Sequence, residues 1–395
     1  MRTSLFFIRT ALLWCLVVLP GCIEPYAPDA ISSTKNYLVV DGFINSTGVT
    51  TIVLSRTYDI ESKYAAPAEG AATIYIEEDG GPRYPLRESN IKGTYSSASL
   101  VLNTAKNYRL SIRTTAGKEF ASDFVPVKTT PAVDNISWGA TTTGLDIYVS
   151  SHDATNKTQY YRWEYEETWE IVPLLSPIVE YKNHKIQDIT ILFPKTCWGT
   201  TKSADINISN TTRLTQDVIS DFLIRSFPTT ANQLRHKYSI LVKQYALTAD
   251  EYNYWALLKK NTENIGTLFD PLPAQLTGNV HCSSDETEIA LGYIGAHSLA
   301  EKRIFISRLE LPSTWNVLTG YEDCVPPDTV YIDRPDLPPP NPPQILEGAF
   351  NPQTGTWPIA PLLGKSSELI GYTAASVDCV DCRTRGTATR PSFWQ

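Results

Sequence analysis

Residues 159–171 read QYYRWEYEETWEI. Tyr161, Trp163 and Tyr165 take every second position, and Arg162, Glu164 and Glu166 fill the places between. Side chains alternate between the two faces of a β-strand, so this period of two predicts a strand with one aromatic and one charged face. Such an aromatic row serves either as an exposed sugar-stacking platform or as the inner face of a packed sheet. Core filling is the ordinary use of aromatic rings at this spacing, so the row is expected to face a core. The acidic pairs Glu166-Glu167 and Asp285-Glu286 read as solvated faces.

The same period recurs on both sides. YLVVDGFI from Tyr37, TIVLSR (51–56), ATIYIEEDGG (72–81) and NYRLSIRT (107–114) precede it. In the last of these, Tyr108, Leu110 and Ile112 alternate with Arg109, Ser111 and Arg113. Short strands and turns without a helical pattern predict a small β-sandwich over 37–128. PVKTTPAVD (126–134) reads as a boundary. A second sandwich is expected over 129–323, from LDIYVSS (145–151), ITILF (189–193), ADINIS (204–209), YSILVKQY (238–245), EIALGYIGAH (288–297) and RIFISRLE (303–310).

One amphipathic helix interrupts it at about 248–265. Thr248 is placed as N-cap, with Glu251 three residues on as a capping box and Leu247 and Tyr252 as a hydrophobic staple. Tyr252, Trp255, Ala256 and Lys259 form its stripe, and Gly266 suits its stop. A weaker helical pattern covers LTQDVISDFLIRSF (214–227). The fold class is therefore mainly β: two Ig-like or fibronectin-like β-sandwich domains, one inserted helix, and a C-terminal arm over 324–395. Eleven of the 27 prolines lie between Pro326 and Pro361, so DLPPPNPPQ (336–344) is expected to run as extended polyproline II rather than helix.

The chain opens MRTSLFFIRTALLWCLVVLPGC. Arg2 and Arg9 precede an apolar run, Ala11 to Leu19, that is too short to span a bilayer as a helix and fits a secretory signal. Leu19-Pro20-Gly21-Cys22 resembles the bacterial lipobox. On that reading residues 1–21 are a lipoprotein signal peptide and Cys22 is lipidated, tying the protein to a membrane. Residues 22–36 are then a tether of at most ~50 Å.

The whole chain carries a formal charge of −8, and losing Arg2 and Arg9 makes the balance more acidic. That argues against nucleic acid as a partner. No phosphate loop, nucleophile elbow or zinc-protease motif occurs. The five histidines show no ligand spacing. His281-Cys282 beside Asp285 is the single hint of a Cys-His nucleophile. No cofactor, metal or catalytic residue is assigned, and the protein is expected not to be an enzyme.

With Cys15 removed and Cys22 acylated, Cys197, Cys282, Cys324, Cys379 and Cys382 remain. Cys379-Val-Asp-Cys382 has the spacing of zinc, redox and disulfide motifs alike. An exported chain favours disulfides. Cys324 is expected to pair with Cys379 or Cys382, stapling the arm, while the other cysteine finds Cys197 or Cys282. The odd count leaves a free thiol. Phe393 and Trp394 read as a hydrophobic plug that fixes the chain end to the body.

YLVVDGFI, YYRWEYEETWE, Cys197-Trp198, YSILVKQYALTADEYNYWALLKKNTENIGTLFD, LTGNV, ALGYIGAHSLAEKRIFI and the terminal CVDCRTRGTATRPSFW together resemble the Bacteroidetes lipoproteins called domain of unknown function 4249. In that pattern Cys282 is an addition. The resemblance implies a place beside TonB-dependent outer-membrane receptors, and no enzymatic activity. Glu24 and Asp29 after Cys22 are similar to an acidic signal for the cell surface, which is favoured over the periplasmic face. The expectation is a lipid-anchored outer-membrane accessory subunit of such a receptor. The alternatives are a self-sufficient glycan- or peptide-binding surface lipoprotein and a hydrolase without a recognisable motif.

Overall fold

Alternating burial runs through most strands, and the protein is mainly β. The computed structural model describes residues 36–58, 65–263, 276, 278–285, 287–332 and 341–395. The leader, Cys22 and the tether up to residue 35 lie outside the described residues, as does Gly266.

Strands Leu38–Gly42, Thr47–Arg56, Thr94–Val101, Arg83–Glu88, Thr73–Glu78 and Asn107–Arg113 lie side by side in that spatial order, all pairs antiparallel. Leu38, Ile52, Leu54, Ile74, Ile76, Tyr108, Leu110 and Ile112 face one core. As expected, the described residues of 37–128 contain no helix.

The boundary after residue 128 is crossed, which corrects the division at 128/129. Val280–Cys282 pairs with Glu119–Ser122. Ala290–Leu291 runs parallel to Leu38–Gly42, and Ala296–His297 lies between Ile44–Asn45 and Val125–Lys128. Val280, Cys282, Ala290, Ile294 and Ala296 thus complete the first core. EIALGYIGAH forms two strands of two residues instead of one long strand. Gly292 separates them at φ 131°, where an added Cβ would stand 2.1 Å from the Val40 carbonyl oxygen. Only glycine permits that approach.

The second core lies between two sheets, the arrangement of a β-sandwich. Val133–Ala140, Gly144–His152 and Val218–Pro228 make one sheet. Cys197–Lys202, Tyr160–Ile171, Lys237–Ala246, Leu299–Ser307 and the short Asn207–Asn210 make the other. Tyr161, Trp163 and Tyr165 point inward, against Leu145, Ile147 and Val149. Trp163 Nε1 donates to Gln244 Oε1 at 2.8 Å, and Gln244 Nε2 donates to the Pro131 carbonyl and to Ser151 Oγ.

Three expectations fail here. Residues 218–228 are strand, not helix. Two register shifts against Gly144–His152 and a positive φ of 49° at Asp221 break the period of two. Ile219, Ile224 and Phe227 consequently face inward at odd spacings that mimic a helix. Glu167 is not solvated: its side chain is 3% exposed and accepts from Tyr238 Oη at 2.7 Å and Arg225 Nε at 3.0 Å. Position 167 continues the odd phase of Tyr161, Trp163 and Tyr165, so its direction was legible. ITILF forms no strand.

The helix spans Ala249–Glu263. Thr248 Oγ1 accepts from Glu251 N at 3.2 Å, so the cap forms. The capping box does not close, because the Glu251 carboxylate turns inward to His297 Nε2 at 3.5 Å. Tyr252 packs on Tyr160, Trp255 lies under the Arg162 guanidinium, and Lys259 Nζ donates to the Ile206 carbonyl. Tyr254 meets Tyr293, the residue before Ile294 of the first core. The helix therefore bridges the outer face of the second sandwich and the segment that returns to the first core.

The arm is more structured than the proline content implies. Asp328–Tyr331, Leu369–Ser376 and Thr356–Leu363 form an antiparallel sheet. Pro342–Phe350 is a helix, contrary to the polyproline expectation for DLPPPNPPQ, whose residues 336–340 lie outside the described residues. Asn341 caps it, accepting from Gln344 N. Pro342 and Pro343 occupy the first turn, where no intrahelical N–H is required. Residues from the preceding sandwich complete the arm's packing: Ile171, Leu175 and Phe193 in one cluster, Val179, Tyr181 and Ile186 in another.

Candidate binding surface

The terminal Cys-x-x-Cys is divided between two bridges. Val377–Val380 makes one helical turn and Cys382–Thr384 a tighter one. Cys379 bonds to Cys324, 55 residues away, and Cys382 bonds to Cys197, 185 residues away. Both pairings lie within the expected set, and all four sulfurs are consumed as disulfides rather than held as metal or redox thiols. Cys282 is free and buried in the first core. Hydrogen bonds from the Arg383 and Arg385 guanidinium groups hold the Asp381 and Asp378 carboxyls, respectively, below their ordinary range. Trp394 is 6% exposed, donates from Nε1 to Glu170 Oε1 at 3.0 Å, and meets Trp198 and Phe305 edge-on. Arg303 lies 3.5 Å over the Phe393 ring.

This corner presents residues 172–195 to solvent. The chain leaves the long strand after Ile171, turns through Pro173 and Pro177, makes the Val179–Lys182 and Lys185–Asp188 hairpin, and returns through Pro194 to Cys197. Ile178 N donates to the Ile359 carbonyl, Trp357 Nε1 to the Val179 carbonyl, and Phe193 meets Trp357 edge-on at 5.1 Å. A groove of about 350 Å³ results, lined among others by Val172, Leu175, Ile189, Ile191, Phe193 and Val380. Around it Leu192 is 93% exposed, Ile178 57%, Leu174 44% and Ile191 43%. An isolated exposed leucine needs no explanation, but several together beside an apolar groove mark a surface made to be covered. Lys195 stands at its rim.

The other sequence candidates are not brought together. His281 is exposed toward Asp123 at 3.7 Å, while Cys282, the next residue of the same strand, points into the core. The Cys-His pairing is thereby excluded, since successive strand residues face opposite sides. Cys22 lies outside the described residues. The groove had no sequence signal beyond the apolar run ITILF, which reads equally well as a strand. Among the described residues no helix is long and apolar enough to cross a membrane.

The family model for a domain of unknown function, DUF4249, matches residues 23–303, and the chain belongs to that family. The matched residues stop short of the terminal CVDC motif, on which the resemblance also drew. No curated protein matches the chain.

Proposed function

From that family membership as premise, we propose that the protein is a lipid-anchored lipoprotein of the outer membrane that works by binding, as an accessory subunit docked on a TonB-dependent receptor. The observation that carries the reading is the apolar groove at 172–195, with Leu192 beside it 93% exposed. Two disulfides and the Trp357 contacts hold its walls. A preformed surface loses little freedom on binding, so its buried area converts efficiently into affinity. The lipobox at Cys22 supplies the membrane attachment, and the resemblance named above supplies the class of partner.

Two outcomes are expected. Cys22→Ser should move the protein from the membrane fraction to the soluble fraction; unchanged fractionation would refute the anchor. Leu192→Glu should cut recovery of the β-barrel receptor in a mild-detergent pull-down by about tenfold, since burying a leucine contributes ~1.5–3 kcal/mol. Val101→Glu, at an 88% exposed position at the end of strand Thr94–Val101, is the control and should leave recovery unchanged. Recovery of the protein alone, or equal recovery by Leu192→Glu and wild type, would refute docking through this face.

A further inference from the structure

A second cavity, of about 120 Å³, opens where the end of the long strand meets the Asn232–Leu234 turn and the C-terminal tail. Its polar wall includes Glu170, Asn232, Arg235, His236, Tyr321 and Arg385. Most of these groups are already engaged. Arg385 donates to Asp378 and to the Gly320 carbonyl and lies 4.0 Å over the Tyr321 ring. Glu170 Oε1 accepts from Trp394 Nε1. Burial, and next the neighbouring Arg235, push the His236 imidazole below its ordinary pKa, so it is neutral near pH 7.

Two groups are left over. Arg235 makes one side-chain hydrogen bond among the described residues, from Nη1 to the Val317 carbonyl at 3.5 Å, and has no carboxylate partner among them. Tyr321 is 1% exposed, and its hydroxyl has no hydrogen-bond partner. A guanidinium offers five N–H donors, and a buried hydroxyl left unpaired costs free energy. Arg235 is the one cation of the wall without a carboxylate, and Glu170 opposes further negative charge. A monoanion is therefore favoured over a phosphate dianion. Val172 lines both this cavity and the apolar groove.

We infer that the cavity binds the carboxylate of an aliphatic ligand, with Arg235 as donor and the hydrocarbon part passing over Val172 into the groove. A free aliphatic acid and the carboxyl end of a peptide both carry this chemistry. The preference for carboxylate over amide reads Arg235 in the cavity and receptor recovery reads Leu192 in the groove, so either can fail alone although the hydrocarbon part enters the groove that Leu192 lines.

The test is tryptophan fluorescence of the full chain carrying Cys22→Ser, which removes the need for detergent; Trp169 lies in the cavity wall. Sodium hexanoate should bind saturably and about tenfold or more tighter than neutral hexanamide. It should also bind about tenfold or more tighter than acetate, which lacks the buried methylenes. Arg235→Gln should erase the preference for hexanoate over hexanamide with an unchanged melting temperature. Equal affinity for hexanoate and hexanamide in the wild type would overturn the inference, whether or not the variant folds. So would acetate binding as tightly as hexanoate, or a preference that survives Arg235→Gln. N-acetyl-Ala-Leu with a free or amidated end separates the two sources. A free-acid peptide that outbinds hexanoate supports a chain end, the reverse order supports a free aliphatic acid, and no binding by either carboxylate overturns the site.

Discussion

Cys382→Ser is expected to lower the unfolding free energy by about 5 kcal/mol, the loop-closure entropy of a bridge spanning 185 residues in the chain-entropy model. Cys379→Ser opens a loop of 55 residues and should cost about 4 kcal/mol. The larger effect also has a structural reason. The Cys197–Cys382 bridge ties the tail to the edge strand of the second sandwich, beside two backbone hydrogen bonds between Trp198 and Thr387. Without it, the Trp394 plug is held by non-covalent contacts alone, and Cys324–Cys379 is the one bridge left beside the groove. Urea unfolding followed by tryptophan fluorescence, with free and dithiothreitol-treated wild type beside the variants, measures this. A loss below about 1 kcal/mol for Cys382→Ser would show that the tail is held without the bridge.

Trp163→Ala should cost about 3–5 kcal/mol, the range for removing a buried aromatic side chain. Trp163 is fully buried and stacks on Tyr161 at 5.7 Å and on Phe222 at 4.6 Å. Its loss also strands Gln244 Oε1, while Gln244 Nε2 still donates to Pro131 and Ser151. Trp163→Phe keeps a ring in the stack but leaves that acceptor unpaired, so it should cost about 1–3 kcal/mol. The expected order in urea is wild type, then phenylalanine, then alanine. Equal stability of the two variants would mean that the Gln244 bond carries the whole effect.

The candidate surface was only partly legible. The cysteines were visible as disulfide partners, and Trp394 as an anchor. The groove was not, because its walls come from residues 172–195 and from Val380, which meet through tertiary contacts, the Cys197–Cys382 bridge among them. The proline-rich stretch misled for a related reason. Proline is unfavourable inside a helix but acceptable in its first turn, and the Asn341 cap makes Pro342 and Pro343 a start rather than a barrier.

What the sequence determined by itself is local. The phase of 159–171 assigns Tyr161, Trp163, Tyr165 and also Glu167 to one face, because neighbours two residues apart must share a side of the sheet. The Thr248 cap starts the helix for the same kind of short-range reason. Only the tertiary structure decided that residues 280–297 return to the first core, that the bulged strand at 218–228 is not a helix, and that Cys379 takes Cys324 while Cys382 takes Cys197. Each of those outcomes rests on groups distant in the chain coming within bonding range, and separation along the sequence carries no measure of that distance.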